Sequence, residues 1–295
     1  MLELRRIACP VDFSEFSVSA YRHALSLARH YRAKLFVQHI VELWRHPSAD
    51  YAPSAVSFDE FCRELSEKAE ERLQEFVKQY AHDEIEPECV VQQGNASDLI
   101  LSFAEARKAD MIVMGTHGRR GIDRFMLGSA TERVIRKASC PVLVVRKPAH
   151  DTIGLGKKPD SVPLGRILFC TDFSEPSRRA LDPALSLTEQ YKAELTLLHV
   201  LEDIPGPSEM VEARAAAMEQ LDKLIPQERR KTVGMKAEVR IGKPYQQIIQ
   251  LALETQTDLV IMAVHGRGAL DLAVFGSTTY RVIQLGPCPV LAVHV

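Results

Sequence analysis

The chain has 295 residues, 46% hydrophobic and 26% charged, with a formal net charge of −2. That length suits about two domains of ~150 residues, and the near-neutral charge excludes the basic footprint of a nucleic-acid or acidic-membrane binder. No apolar run approaches the ~20 residues of a membrane span, and MLELRRIACPVDFSE lacks the apolar region and cleavage site of a signal peptide, so a cytoplasmic protein is expected.

In chain order, RRIACPV (5–11) reads as a first strand and SVSAYRHALSLARHY as a helix with Ala20, His23/Ala24, Leu27/Ala28 and Tyr31 near one face. AKLFVQHI is a second strand. FDEFCRELSEKAEERLQEFVKQYA is a longer helix, with Phe61, Leu65, Ala69, Leu73, Phe76 and Tyr80 at spacings of three and four. PECVVQQ, ASDLILSFAEARK, ADMIVMG, SATERVIRKA and CPVLVVR continue the alternation of strand and helix. Most of the strand runs are continuously apolar, as in a parallel sheet covered on both faces.

The order then repeats. RRIACPVDFSEFS matches GRILFCTDFSEPS, pairing Asp12 with Asp172 at an offset of 160, and Ala33–Glu42 matches Ala193–Glu202 at the same offset. Gly94 and Gly242, Asp110 and Asp258, Gly118 and Gly266, and Cys140 and Cys288 pair at 148. The first copy therefore carries twelve extra residues between its second and third strands, within Trp44–Glu60. That insertion reads as a surface loop, as a lid or as a contact with the other half. KPAHDTIGLGKKPDSVPLG, rich in Pro, Gly and Lys, reads as a linker. The expected organisation is a domain over 1–147, a linker over 148–164 and a second domain over 165–295. The fold class is α/β, two tandem doubly wound domains.

Cys9, Cys62, Cys89, Cys140, Cys170 and Cys288 form no Cys-x-x-Cys and no zinc spacing. Cys9, Cys140, Cys170 and Cys288, in or beside apolar strand runs, read as small buried hydrophobes rather than redox groups.

Open parallel sheets bind ligands beyond the carboxyl ends of their strands. Asp12 directly follows the first strand, and Gly115 ends the fourth. If those strands are neighbours, Asp12 and the glycine loop share one crevice. Gly115 and Gly118 allow positive φ or close backbone approach. Ser129 and Glu132 have the spacing of a capping box, and a helix N-terminus attracts anions. Arg119, Arg120 and Arg124 add positive charge, so a phosphate-bearing ligand fits. In the plainer alternative, Ser129 merely caps a helix, Asp12 caps the first helix, and the arginines and His117 and His265 face solvent. There is no P-loop, no Gly-x-Gly-x-x-Gly opening the first helix and no nucleophile elbow.

Gly115-x2-Gly118-x9-Gly128-Ser129, with Pro10-Val11-Asp12-Phe13-Ser14 and Ser139-Cys140-Pro141-Val142-Leu143-Val144-Val145, resembles the universal stress protein family, ATP-binding branch. The likeness covers nearly all of both copies. It implies a five-stranded parallel sheet of order 3-2-1-4-5 in each. It also implies adenine near Pro10, Val11 and Ile40, and Asp12 near the ribose or a phosphate-bound Mg²⁺. Met114 and Gly115 would line the nucleotide, Gly118, Gly128, Ser129 and Ala130 would hold phosphates, and His117 and Arg119 stand in the same loop. In the second copy the corresponding residues are Asp172, Val200, Gly266, Gly276, Ser277 and Thr278. Domain pairing through the last strands, CPVLVV and CPVLAV, and a homo-oligomer are further expectations from the resemblance.

The second copy departs from the first. Ala263 replaces Gly115, Cys170 replaces Pro10, Leu272 replaces Arg124 and Tyr280 replaces Glu132. If Gly115 has positive φ, alanine there costs roughly 1 kcal/mol, so the first site is expected to bind ATP more tightly. The leading reading is an ATP-binding regulatory module. A slow Mg-dependent nucleotide hydrolase and a nucleotide-free dimerisation protein are the alternatives.

Overall fold

The computed structural model describes residues 3–42, 55–80, 85–117, 127–146, 162, 164–202, 206–225, 229, 234–264 and 276–294. The first half runs β1 (Arg6–Pro10), α1 (Glu15–Tyr31), β2 (Lys34–Val41), α2 (Ala55–Gln79), β3 (Glu88–Gln93), α3 (Ala96–Ala106), β4 (Met111–Gly115), α4 (Ser129–Lys137) and β5 (Val142–Val145). The second runs β6 (Arg166–Cys170), α5 (Glu175–Arg179), α6 (Leu181–Tyr191), β7 (Glu194–Leu201), α7 (Pro207–Leu224), β8 (Met235–Ile241), α8 (Pro244–Glu254), β9 (Leu259–Ala263), α9 (Ser277–Leu285) and β10 (Val290–Val293).

The strands form one sheet of order β3-β2-β1-β4-β5-β10-β9-β6-β7-β8. Each half has the expected order 3-2-1-4-5, all parallel. The halves meet through their last strands, which pair antiparallel with Leu143 opposite Leu291. Both faces of the sheet are covered. Ile7 and Cys9 of β1 pack with residues of α1 and α2, and Ala8 packs with residues of α3 and α4. Successive side chains point to opposite faces, and each face has a core, so the inner strands β4, β5, β9 and β10 are apolar at every position, while the outer strands β3 and β8 carry polar residues.

Asp110 secures the start of β1 to β4. Its Oδ2 accepts from the Arg5 and Arg6 amides, both at 2.8 Å. Asp258 does the same for the Gly165 and Arg166 amides at 2.9 and 2.8 Å. The Asp110/Asp258 pair that marks the repeat is thus a strand clamp at the amino edge of the sheet.

Three sequence expectations change. α2 begins at Ala55, so residues 55–60 of the insertion are helical rather than loop, while 44–54 lie outside the described residues. Its apolar stripe meets the core only from Ala69 onward, and Phe61 is 53% exposed. The first helix of the second half is interrupted at Ala180. Pro183, at the position of His23, supplies no N–H to the Arg179 carbonyl and its ring crowds it, which ends the first segment.

Of the linker, Val162 and Leu164 are described. The Val162 amide donates to Ser26 Oγ at 2.7 Å, and Leu164 is buried. Among the described residues no helix is long and apolar enough to cross a membrane.

Candidate functional site

β1 and β4 are neighbours, with Ile7 opposite Met111 and Ala8 opposite Ile112. Their carboxyl ends therefore open on one edge, where the Asp12 turn and the loop after Gly115 begin. Pro10, Val11 and Met114 are buried there, and Asp12 and Ile40 are half-buried.

Asp12 is not the helix cap. Its Oδ1 accepts from the Ser14 amide at 3.1 Å and from Ser14 Oγ at 2.6 Å. Ser14 is the N-cap of α1, and its Oγ accepts from the Ser17 amide at 3.2 Å. The carboxylate thus orients the cap that starts the helix. Between them Phe13 has φ 64°, a left-handed conformation that bulky residues rarely adopt. The second half repeats this turn: Phe173 has φ 62°, and Asp172 Oδ1 accepts from Ser174 at 3.0 and 2.6 Å.

Sequence reasoning missed the residue beneath the turn. His39, buried in β2, bonds the Val11 carbonyl through Nδ1 at 2.7 Å, and its ring centroid lies 4.4 Å from that of Phe13. His199 does the same for the Thr171 carbonyl and Phe173, at 2.8 and 4.3 Å. The signal was present, because both histidines stand at the shared offset of 160 in a strand that is otherwise apolar at most positions. In the first half only, Phe13 also meets the Arg72 guanidinium at 4.4 Å and the Phe76 ring at 5.5 Å; Gln220 and Leu224 hold the matching sequence positions in the second.

The loop after β4 is pinned at its base. The Thr116 amide donates to the Val145 carbonyl at 3.1 Å, and the Gly128 amide donates to the Thr116 carbonyl at 2.9 Å. Thr131 Oγ1 donates to the Gly115 carbonyl at 2.9 Å. Thr279 donates likewise to Ala263, and Gly276 to Val264. These threonines were also missed, although they recur at the offset of 148. His117 is buried rather than solvent-facing; its Nδ1 lies 3.0 Å from Thr116 Oγ1 and its ring packs on Phe16.

Gly128, not Ser129, is the N-cap of α4, and among the described residues no side-chain cap bond closes that end. Ser129 is the first helical residue and is exposed, and Glu132 turns to Arg136 instead of closing a capping box. The second half is built alike, with Gly276 as cap, Ser277 exposed and Thr278 half-buried. First-turn amides without a side-chain acceptor suit an anion.

Gly115 is glycine for a reason different from the two expected. Its φ is not positive; a Cβ there would stand 2.9 Å from Phe16 Cβ and 3.0 Å from the Phe16 backbone. The missing side chain admits α1, not a ligand. Ala263 likewise has no positive φ, and Pro176 stands where Phe16 does. The Gly115/Ala263 difference is therefore one of helix packing. Positive-φ glycines among the described residues are Gly94 and Gly242, at the turn from β3 to α3 and from β8 to α8.

Gly118, Arg119, Arg120, Arg124, His265, Gly266 and Leu272 lie outside the described residues. Among the described residues no group of three or more His, Cys, Asp or Glu side chains could hold a metal ion. A Mg²⁺ carried in by phosphates needs only one or two protein carboxylates, which Asp12 fits. The cysteines are all unpaired thiols. Burial pushes Cys140 up to about 11 and Cys288 up to about 12, and raises Cys9 and Cys170 too, so these thiols stay protonated and unreactive.

The model of the universal stress protein family matches residues 3–146 and 163–294. A universal stress protein of Methanocaldococcus jannaschii is 35% identical over 147 residues, 50% of this chain and 85% of its own length. One of Mycolicibacterium smegmatis is 28% identical over 301 residues, covering 96% of this chain and 95% of its own. The crystal structure of a universal stress protein from Archaeoglobus fulgidus aligns over 98% of this chain and 96% of its own with a TM-score of 0.69 at 21% identity, a likeness of fold.

Proposed function

Because this chain belongs to the universal stress protein family, with two such domains in tandem, we propose that it is an ATP-binding regulatory module. Its domains are 1–147 and 165–295, joined by 148–164. The observation that carries the reading is the shared edge of β1 and β4. There a carboxylate on a strained turn, Asp12, and a helix start without a side-chain cap, at Gly128–Ser129–Ala130, follow two adjacent strands. Pro10, Val11, Ile40 and Met114 offer an apolar wall for adenine, Gly128, Ser129 and Ala130 offer amides to phosphates, and Asp12 faces the ribose or the Mg²⁺ of Mg-ATP. Gly115 supports this wall from behind by admitting α1. His117, Gly118 and Arg119 belong to the same loop.

The second site would use Asp172, Val200, Gly276, Ser277 and Thr278, with Gly266. The first site binds ATP more tightly in this reading. The reason is no longer Ala263 but the Asp12 turn, which has Arg72 and Phe76 against Phe13. The net charge of −2 and unpaired cysteines suit a cytoplasmic module that acts without nucleic acid or membrane, and the same reading has it assembling as a homo-oligomer.

Mass spectrometry of gently purified protein tests the reading directly, with copurified ATP as the expected result. In titration with Mg-ATP, Gly128→Ala is expected to lose more affinity than Gly276→Ala. Equal losses overturn the ranking, and absence of binding overturns the reading.

A further inference from the structure

Four residues recur unchanged around the turn after the first strand of each half: Asp12, Phe13, Ser14 and His39, and Asp172, Phe173, Ser174 and His199. Their neighbours differ, with Thr171 for Val11 and Gln220 for Arg72. The recurring geometry is a clamp. A carbonyl only accepts, so the His39 nitrogen facing the Val11 carbonyl at 2.7 Å carries a proton and donates. The same ring lies against Phe13, whose φ of 64° needs external support. Asp12 sits between these two held residues, and Ser14 fixes its Oδ1 from the other side.

We propose that His39 is a positioning residue: it clamps Val11 and Phe13 so that the Asp12 carboxylate is presented to the nucleotide in a single orientation. The role rests on the nucleotide reading for its ligand, but not for its geometry. His39 acts through Asp12, and His199 acts in the same way through Asp172. A carboxylate already held where the ligand needs it loses less freedom on binding, which appears as affinity.

The test uses the full chain in a Gly276→Ala background, so that the first site is read alone. His39→Leu removes the donor. His39→Asn keeps an amide donor near the place of Nδ1. His39→Gln moves the donor a bond further and serves if the leucine variant does not fold. Mg-ATP affinity is expected to fall about tenfold in His39→Leu, and by less than about threefold in His39→Asn. In an Asp12→Asn background the further loss from His39→Leu is expected to stay under about twofold, because residues acting as one unit are not additive. A histidine that only filled the core would give additive losses and no rescue by asparagine. Amide hydrogen exchange provides an arm without ligand: the Ser14 amide, bonded to Asp12, exchanges faster in His39→Leu while the Ile7 and Cys9 amides keep their protection. Wild-type affinity in His39→Leu, additive losses with Asp12→Asn, or unchanged exchange at Ser14 each overturn the inference. A parent chain that binds no Mg-ATP overturns the nucleotide reading instead, and the exchange arm then decides whether His39 holds the turn.

Discussion

Gly115 and Gly128 bracket one loop and carry different loads. A methyl at 115 collides with the backbone of α1 at Phe16, 3.0 Å away. Backbone cannot rotate aside, so α1 has to shift, and overpacking of this kind costs about 1–3 kcal/mol. Gly115→Ala is therefore expected to lower the urea midpoint clearly. Its effect on Mg-ATP affinity, measured on folded protein, should be small, because the added carbon points away from the crevice. A methyl at 128 meets the Thr116 carbonyl at 3.2 Å, a contact that a shift of a few tenths of an ångström relieves. That shift moves the first amides of α4. Gly128→Ala is expected to reverse the pattern, with a small loss of stability and a large loss of affinity. Two substitutions of one kind, thirteen positions apart, thus separate support of the site from the site itself, and equal effects on both measurements would remove the distinction.

At the scale of elements, the sheet has an amino edge that fastens strands and a carboxyl edge that presents residues. Asp110 accepts two amides at the first, and Asp12 stands at the second. Hydrogen bonds to a charged acceptor are worth about 1.5–3 kcal/mol each, less where water reaches them as it does here. Asp110→Ala is expected to cost about 1–2 kcal/mol in urea unfolding and to leave Mg-ATP affinity unchanged, whereas Asp12→Asn does the opposite. The repeat and the strand ends were legible in the sequence, because continuous apolar runs and paired aspartates report burial and strand ends locally, whereas the strand order came only with the family resemblance. What stayed hidden depended on partners distant in sequence. The reason for Gly115 lies at Phe16, the partner of His39 lies at Val11, and the cap of α4 is fixed by the return of Gly128 to Thr116. The interruption at Ala180 was announced by Pro183 but looked like one more turn of a repeated helix. The exposed Phe61 had helical spacing and no core above it, which periodicity alone does not reveal.

The two halves are one sheet, so their seam belongs to the whole molecule. Beyond the β5–β10 pairing, each half sends a side chain across. Arg146 donates from Nη1 to the Gly286 carbonyl at the end of α9 at 2.9 Å, and His294 Nε2 meets the Ile135 carbonyl of α4. Arg146 and His294 match at the offset of 148, and both helices begin at a candidate site. On the opposite face α1 meets α6, with His30 stacked on Tyr191 at 4.2 Å. Beneath them lies a cavity of about 20 Å³ walled by Leu27, Met111, Leu143, Leu187 and Leu291, among others, into which His23 also faces. His23 Nδ1 bonds the Ser19 carbonyl at 2.8 Å, and burial holds its pKa below the usual 6.5. The apolar lining supplies no counter-charge. The unfolded chain therefore binds a proton near pH 6.5 that the folded chain refuses. Above that pH both forms are neutral and the contribution of His23 is constant; as pH falls below it, stability drops until the folded pKa is passed. The slope is at most about 1.4 kcal/mol per pH unit. His23→Leu, which suits the lining, is expected to remove that part of the acid sensitivity between pH 7 and pH 5. Urea unfolding of both chains across that range measures it. Because the two chains differ only at residue 23, the difference between the two curves carries the result. A difference that stays constant with pH would mean that His23 accepts its proton in place, with the seam intact.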